Sequence, residues 1–356
     1  MKTIFRTGLA LLSILLLSCG TSSGVDPHLS VEEQQEEMQV NLVGKWKIRR
    51  PQPIGSGKIG GWAVADCTVD QIEFFDNNNY ILNLSSLDES GLALSKIYRG
   101  KYDLLFEETG DEVRLEKIVL MEQNYLSGSN FPIQGSIATI DEIELSERSV
   151  SFRIQLEEGT SEFCSTAAAV ALSGDKEEPV APDAAEDSNH VRFINEWRLI
   201  RVTTTAVGPD VPSDGELICG LLEGEYYDRC FDAPTGGYAE DCRPATSITL
   251  LISEYGTYLF NYFDAEENLL STEQGDWRWR TDTEEYTVFN VKDPDETFNE
   301  DSIRIAIIEL TETSLQLSEI QEGEEGSITL TYSFQLASLD YNGIDCSNYS
   351  TDGAGK

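Results

Sequence analysis

The sequence predicts an all-β fold: two tandem eight-stranded antiparallel up-and-down barrels joined by an acidic, proline-containing linker. Three observations carry this. Residues 41–50, NLVGKWKIRR, return as residues 193–202, FINEWRLIRV, so the chain is a duplication with Trp46 and Trp197 at matching places. The two tryptophans stand roughly 150 positions apart, one domain length and far beyond the period of a solenoid repeat. Each then heads a series of short runs in which apolar and polar residues alternate, the period of a half-buried strand.

In the first copy the strands are expected at 69–76, 80–87, 97–106, 113–121, 137–145, 149–156 and 163–172. The turn Asn77-Asn78-Asn79 makes the first hairpin, because asparagine tolerates positive φ. Residues 107–111 and 146–148 turn two more. Along 149–156 the apolar Val150, Phe152, Ile154 and Leu156 take one face, with Ser151, Arg153 and Gln155 on the other. The second copy repeats this order at 247–253, 257–263, 275–281, 286–291, 302–310, 314–320 and 328–336, after a long insertion at 207–243. Ile143-Glu144-Leu145 and Ile308-Glu309-Leu310 fall at the same point in each programme. Eight consecutive strands favour closure, which removes the unpaired edges that a meander exposes. Strand count leaves a two-sheet sandwich open as the alternative.

The expected organisation is a signal segment (1–19), a tether (20–40), a first barrel (41–173), an acidic linker (174–190), a second barrel (191–346) and a tail (347–356). Lys2 and Arg6 precede an apolar run too short to span a bilayer, which needs roughly 20 residues, as in a secretory signal. The ending Leu16-Leu17-Ser18-Cys19 resembles the bacterial lipobox, which implies a lipid on Cys19 and membrane attachment through its acyl chains. The next residues, Gly20 and Thr21, lack an aspartate resembling an inner-membrane retention signal, which favours the outer membrane. The tether is polar; Ser30 and Glu33 form a capping box for one short helix through Met38, with little expected for it to pack against.

Composition excludes several functions. Asp+Glu 64 against Lys+Arg 25, a net charge of −39, argues against binding nucleic acid or anionic headgroups. Only His28 and His190 occur, both in polar connecting stretches, so neither is placed to serve a Ser-His-Asp triad or a catalytic zinc site. No enzyme activity, cofactor or metal is expected. The acidic loop Asp293, Asp295, Glu296, Glu300 and Asp301 departs from an EF-hand, having Phe298 at the sixth position and Arg304 at the twelfth. Leaving Cys19 aside, six cysteines remain, an even number suited to disulfides. Cys67 and Cys164 are the pair within the first barrel. Cys219, Cys230, Cys242 and Cys346 allow three connectivities, of which Cys242 with Cys346 and Cys219 with Cys230 is the expected one.

The triplet Gly44-Lys45-Trp46 resembles the Gly-x-Trp motif opening the first strand of the lipocalins, and the chain as a whole resembles the lipocalin-like domains of bacterial lipoproteins over 41–172 and 193–338. The second copy departs, with Asn195 in place of the glycine. The resemblance implies a calyx holding one small apolar ligand, its first-strand tryptophan packed at the closed end under a basic residue. Tyr258, Phe260 and Tyr262 share a strand face, and Trp277 and Trp279 alternate with charged residues. With Leu315 and Leu317 they are the expected cavity lining; a core filled by its own side chains, there and around Leu82, Leu84, Phe152 and Ile154, is the alternative. The expected partners are therefore a membrane through the N-terminal lipid and a small apolar or amphipathic ligand, or else a surface protein or glycan met by the barrel loops.

Overall fold

A computed structural model describes residues 29–49, 67–87, 93–122, 135–156, 169–205, 216–232, 237–238, 242–282, 286–293, 296–299, 302–323, 326–341, 343–344 and 346. The first copy forms β1 (Gly44–Arg49), β2 (Cys67–Phe74), β3 (Asn79–Leu87), β4 (Ala93–Thr109), β5 (Glu112–Glu122), β6 (Gly135–Leu145), β7 (Ser149–Leu156) and β8 (Val170–Lys176). Each strand pairs antiparallel with the next, and β8 returns to β1 with Trp46 opposite Lys176, so the sheet is a closed barrel and not a sandwich. Asn78, at φ 63°, makes the β2–β3 turn as its residue type predicts. The last strand, expected over 163–172, is described over Val170–Lys176, and residues 163–168 lie outside the described residues. It runs to Lys176 because Gly174, Asp175 and Lys176 are the residues that pair with β1, so the start of the expected linker belongs to the barrel.

The expected tether also needs correction. Residues Val31–Leu42 form α1, opened by the capping box of Ser30 and Glu33, and it continues past Met38 because it does have a surface to pack on. Met38 and Leu42 join the core of the first barrel. Buried Gln34 donates to the carbonyls of Leu29 (2.9 Å) and Asp111 (2.8 Å) and accepts from the Val113 amide (3.0 Å), which satisfies the amide while fixing the helix over the β4–β5 end.

The linker is docked as well. The Val180 amide donates to the Glu254 carbonyl (2.8 Å), and Ser188 caps α2 (Asn189–Phe193). The second copy forms β9 (Glu196–Thr204), α3 (Glu216–Cys230), a two-residue ribbon of β10 (Phe231–Asp232) and β11 (Gly237–Tyr238), and then β12 (Ser247–Ile252), β13 (Thr257–Phe263), β14 (Leu269–Trp279), β15 (Val288–Lys292), β16 (Ile303–Leu310), β17 (Ser314–Gly323) and β18 (Gly326–Leu336). β12 to β18 close through β9, with Leu336 opposite Trp197.

Each barrel has its own apolar core, and a small third cluster of Phe75, Ile81, Leu251 and Leu259 joins their outer faces. Beside it lies Glu73, fully buried, accepting from the hydroxyls of Ser253 (2.6 Å) and Thr257 (2.7 Å) across the seam. Arg99 adds bonds to the Thr272 carbonyl (3.0 Å) and Gln274 (3.3 Å).

Candidate functional site

The two copies close one end by the same device. Trp46 Nε1 donates to the carbonyl of Leu42 (2.8 Å), and Trp197 Nε1 to that of Phe193 (3.1 Å), so in both a helix end four residues upstream satisfies a buried indole. In the first barrel Lys176 supplies the basic cover, its Nζ 5.2 Å from the Trp46 ring centroid. Gly44 is needed for this. At φ 141° it has a backbone that disfavours side chains, and a Cβ there would meet Lys176 Cε at 2.2 Å. In the second barrel Leu336 stands where Lys176 stands in the first, and the glycine is absent with it. The half-kept motif is thus one local exchange.

Above these floors the barrels differ. Among the described residues the first is packed: the void beside Trp46, Ile72, Phe74, Ile118 and Phe152 is about 10 Å³, the scale of one water. Leu82, Leu84, Phe152 and Ile154 are buried in that packed core. The second barrel holds a cavity of about 250 Å³, just below the volumes usual for drug-sized ligands, roughly 300 to 1,000 Å³. Its wall is Leu199, Ile248, Leu250, Tyr258, Phe260, Tyr262, Trp277, Phe289, Ile305, Leu317, Tyr332 and Phe334, with Phe193 of α2 and Leu221 of α3 at the two ends. Gly275 makes room for one of the rings: a Cβ there would sit 2.2 Å from Tyr258 Cζ.

Five of the seven expected lining residues therefore face this space: Tyr258, Phe260, Tyr262, Trp277 and Leu317. Leu315 is wholly buried but lies outside the lining. Trp279 also lies outside it, because the strand has by then passed below the cavity floor. There it packs tilted against Phe193 and Tyr286 and edge-on to His190, donating from Nε1 to His190 Nδ1 (3.0 Å). His190 is accordingly a buried member of the closed end and not part of a loose linker, and burial lowers its pKa.

Two carboxylates escaped the sequence reading. Tyr262 donates to Glu273 Oε1 (3.2 Å) and Tyr332 to Glu319 Oε2 (3.0 Å), each a diagonal pair across adjacent strands, and both glutamates line the cavity. Burial raises the pKa of Glu273 although part of its side chain meets solvent, with the nearby acids Glu225 and Asp228 acting in the same direction. Burial likewise raises Tyr262 and Tyr332, and pushes Tyr258 up to about 12. Stepping by twos from Trp277 back to Glu273, and from Leu315 on to Glu319, keeps both carboxylates on the inward phase. The strand period would have located them.

The roof is α3, in the insertion where no helix was expected. Ile218, Cys219 and Leu222 join the core, and buried Glu225 accepts from Ser271 (2.6 Å). The disulfides correct the expected connectivity: Cys219 pairs with Cys346 and Cys230 with Cys242. The physical reason is the path of the C-terminal segment. After β18 it turns back along the outside of β9, where Arg198 lies 4.9 Å from the Tyr341 ring centroid, and it reaches the first turn of α3. Cys230, at the other end of α3, meets Cys242 at the entry to β12. The expected lipid site Cys19, the partner Cys164, and Asp295, Glu300 and Asp301 of the acidic loop lie outside the described residues.

No family model matches the sequence, and no curated protein does. Solved structures that are similar include bovine odorant binding protein with its natural ligand (15% identity, 44% of this chain and 79% of that one, TM-score 0.23). Lobster apocrustacyanin A1 is another (8% identity, 43% and 64%, TM-score 0.23). A transferrin binding protein B mutant from Haemophilus parasuis Hp5 is a third (9% identity, TM-score 0.18); the match takes in 75% of this chain and about half, 54%, of that one. Scores this low carry no argument on function, and the assignment rests on the chain's own strand order, closure and helix-capped tryptophans. By those features the chain is a tandem of two lipocalin-like barrels.

Proposed function

We propose that the chain is a non-enzymatic binding protein of the bacterial envelope, anchored by a lipid on Cys19 in the outer membrane. In this reading the second barrel takes up one small apolar or amphipathic molecule and the first is its packed platform. The single observation carrying the proposal is the contrast between an apolar cavity of about 250 Å³ in one barrel and about 10 Å³ in its duplicate. A void of that size lined by aromatic rings forgoes packing contacts that a filled core would make, and the described core of the twin barrel, packed around Trp46, supports the reading. The lipobox-like residues support the anchor. Native mass spectrometry of protein purified from its host tests the ligand: a co-purified small molecule in stoichiometric amount is expected, and a bare mass under gentle conditions, with no tryptophan fluorescence change on delipidation, would reject it. Cys19→Ala tests the anchor, and persistence of that variant in the membrane fraction would reject the lipid.

A second reading has its own observation. Beside the roof, Tyr227 stacks on Phe231 (4.7 Å) and Tyr226 on Tyr238 (5.3 Å), leaving Tyr227 45% and Tyr238 51% exposed. Exposed rings gathered on one knob suit contact with a surface protein or glycan. Tyr227→Ala with Tyr238→Ala should abolish such contact and leave cavity binding intact.

A further inference from the structure

The seam between the barrels uses the same positions of the duplicated chain from both sides. Trp46 pairs with Ile72 as Trp197 does with Leu250, so Lys45 corresponds to Glu196 and Glu73 to Leu251. The turns match as well: Phe75 and Ser253 each donate to the carbonyl four residues on, which aligns Phe75 with Ser253, Asn77 with Tyr255 and Asn79 with Thr257. On β4 and β14, Arg99 corresponds to Gln274 and Lys101 to Asp276.

The contacts join these positions reciprocally. Arg99 donates to its own counterpart, Gln274 (3.3 Å), and Ile81 shares one apolar cluster with its counterpart, Leu259. Glu73 accepts from the counterparts of Phe75 and Asn79, while its own counterpart, Leu251, lies in the cluster that holds Phe75. Asn77 donates to Glu196 (3.2 Å), and Lys45, the counterpart of Glu196, reaches the opposite turn at Thr257 (3.4 Å). A patch that meets its own copy, residue i on j and j on i, is an isologous interface of the kind that builds two-fold dimers.

Charges at corresponding places have opposite signs. Lys101 Nζ donates to the Asn77 carbonyl (2.9 Å) while the Asn77 amide donates to Glu196, so cation and anion sit on the two sides of one turn. Burial lowers the Lys101 pKa and Glu196 opposes that shift. The reciprocal pair is Asp276 with Lys45, both acting on Glu73; Asp276 is also held by Lys292 (2.6 Å) and Lys45 lies 4.0 Å from Glu177, so Lys101 with Glu196 is the sharper pair. Two first barrels meeting in this way would set Lys101 against Lys45 twice, and Glu73 against Phe75 in place of Ser253. Two second barrels would set Asp276 against Glu196 twice. Apposed like charges reject such partners. We propose that the seam is an isologous pairing face whose opposite charges at equivalent positions, Lys45 and Lys101 against Glu196 and Asp276, admit the unlike barrel and refuse the like one, so that each chain pairs within itself and not with a second copy.

The test cuts the folded full chain at a protease site inserted between Ala185 and Glu186, two exposed linker residues. Native mass spectrometry and a sedimentation dilution series from about 1 µM then follow the halves. One first barrel bound to one second barrel is expected. Separated halves, or first-with-first and second-with-second pairs, would overturn the proposal. Lys101→Glu should weaken the complex at least about tenfold, as should Glu196→Lys, whereas the two together should bind at least about threefold tighter than either alone. Gln274→Arg, which sets a second guanidinium against Arg99, should also weaken the complex, and adding Arg99→Gln should restore it. Melting of the uncut chain checks folding, and the two exchanges are independent, so a variant that fails to fold in one leaves the other to decide. Double variants no tighter than their singles would overturn the charge assignment.

Discussion

The two disulfides of the second barrel provide a perturbation whose size follows from the fold. Cys219–Cys346 closes a sequence separation of 127 and encloses all of β12 to β18, whereas Cys230–Cys242 closes a separation of 12. In the chain-entropy account the first constrains the unfolded chain by about 5 kcal/mol and the second by about 3 kcal/mol. Cys219 and Cys230 are buried alike, at 4% and 3% exposure, so truncating either to alanine leaves a similar local defect and the difference isolates the loop. Cys219→Ala/Cys346→Ala should therefore cost about 2 kcal/mol more than Cys230→Ala/Cys242→Ala. It should lower the melting temperature by about 10–20 °C, taking roughly 2–4 °C per kcal/mol for a domain of this size. Urea unfolding read by hydrogen exchange on peptides from β12 to β18 reports this barrel separately from the first. Equal costs, or a larger cost for the short loop, would refute the connectivity or the entropic argument. Because both bonds hold α3 over the cavity, loss of either should also raise the dissociation rate of a bound probe.

Other expectations concern the seam and the floor. Glu73 faces Lys45, Asp276, Tyr255 and the hydroxyls of Ser253 and Thr257, and burial raises its pKa. Its protonated form is favoured in the docked state, so docking is strongest at or below the ordinary glutamate range and weakens as pH rises through the raised value. Small-angle scattering should show the barrels separating more readily at pH 8 than at pH 5, and Glu73→Gln should flatten that dependence; an unchanged profile in the variant would count against it. His190 has the opposite sign. Its pKa is lowered by burial, so its contribution is complete above its ordinary value and is lost as pH falls, when protonation of Nδ1 breaks the bond from Trp279. Melting of the second barrel should fall between pH 7 and pH 5, and His190→Phe should lose that slope. Gly44→Ala should destabilise the first barrel by about 1–3 kcal/mol through its positive φ and the clash with Lys176. Lys176→Ala should restore part of that loss in a double-mutant cycle.

The strands were readable because each buries alternate residues against one core, so the pattern is written locally in runs such as Val150, Phe152 and Ile154. The turns were readable where a residue type meets a backbone demand, as at Asn78. What was not readable depends on contacts distant in sequence. α1 reads as a polar tether until Met38 and Leu42 find the barrel end. α3 carries Gly220 and Gly224, which weaken a helical reading, and it is helical because Ile218 and Leu222 dock on the core and disulfides hold both ends. The pairing of Cys219 with Cys346 depends on where the C-terminal segment runs, which spacing does not encode. Trp277 and Trp279 show the limit of periodicity: both obey the alternation, but the barrel floor falls between them. Glu273 and Glu319 show its reach, since the same period places two acids inside a wall that composition marks as apolar.

The central claim, that the second barrel and not the first is the binding compartment, is tested most directly by filling its cavity. Leu250→Trp places an indole in the space that Leu250 lines. Calorimetric titration with decanol, a small amphipathic probe, should then show binding lost while the barrel keeps its melting temperature, since the added ring occupies a void and creates no overpacking. Decanol binding undiminished in Leu250→Trp, with the variant folded, would contradict the account.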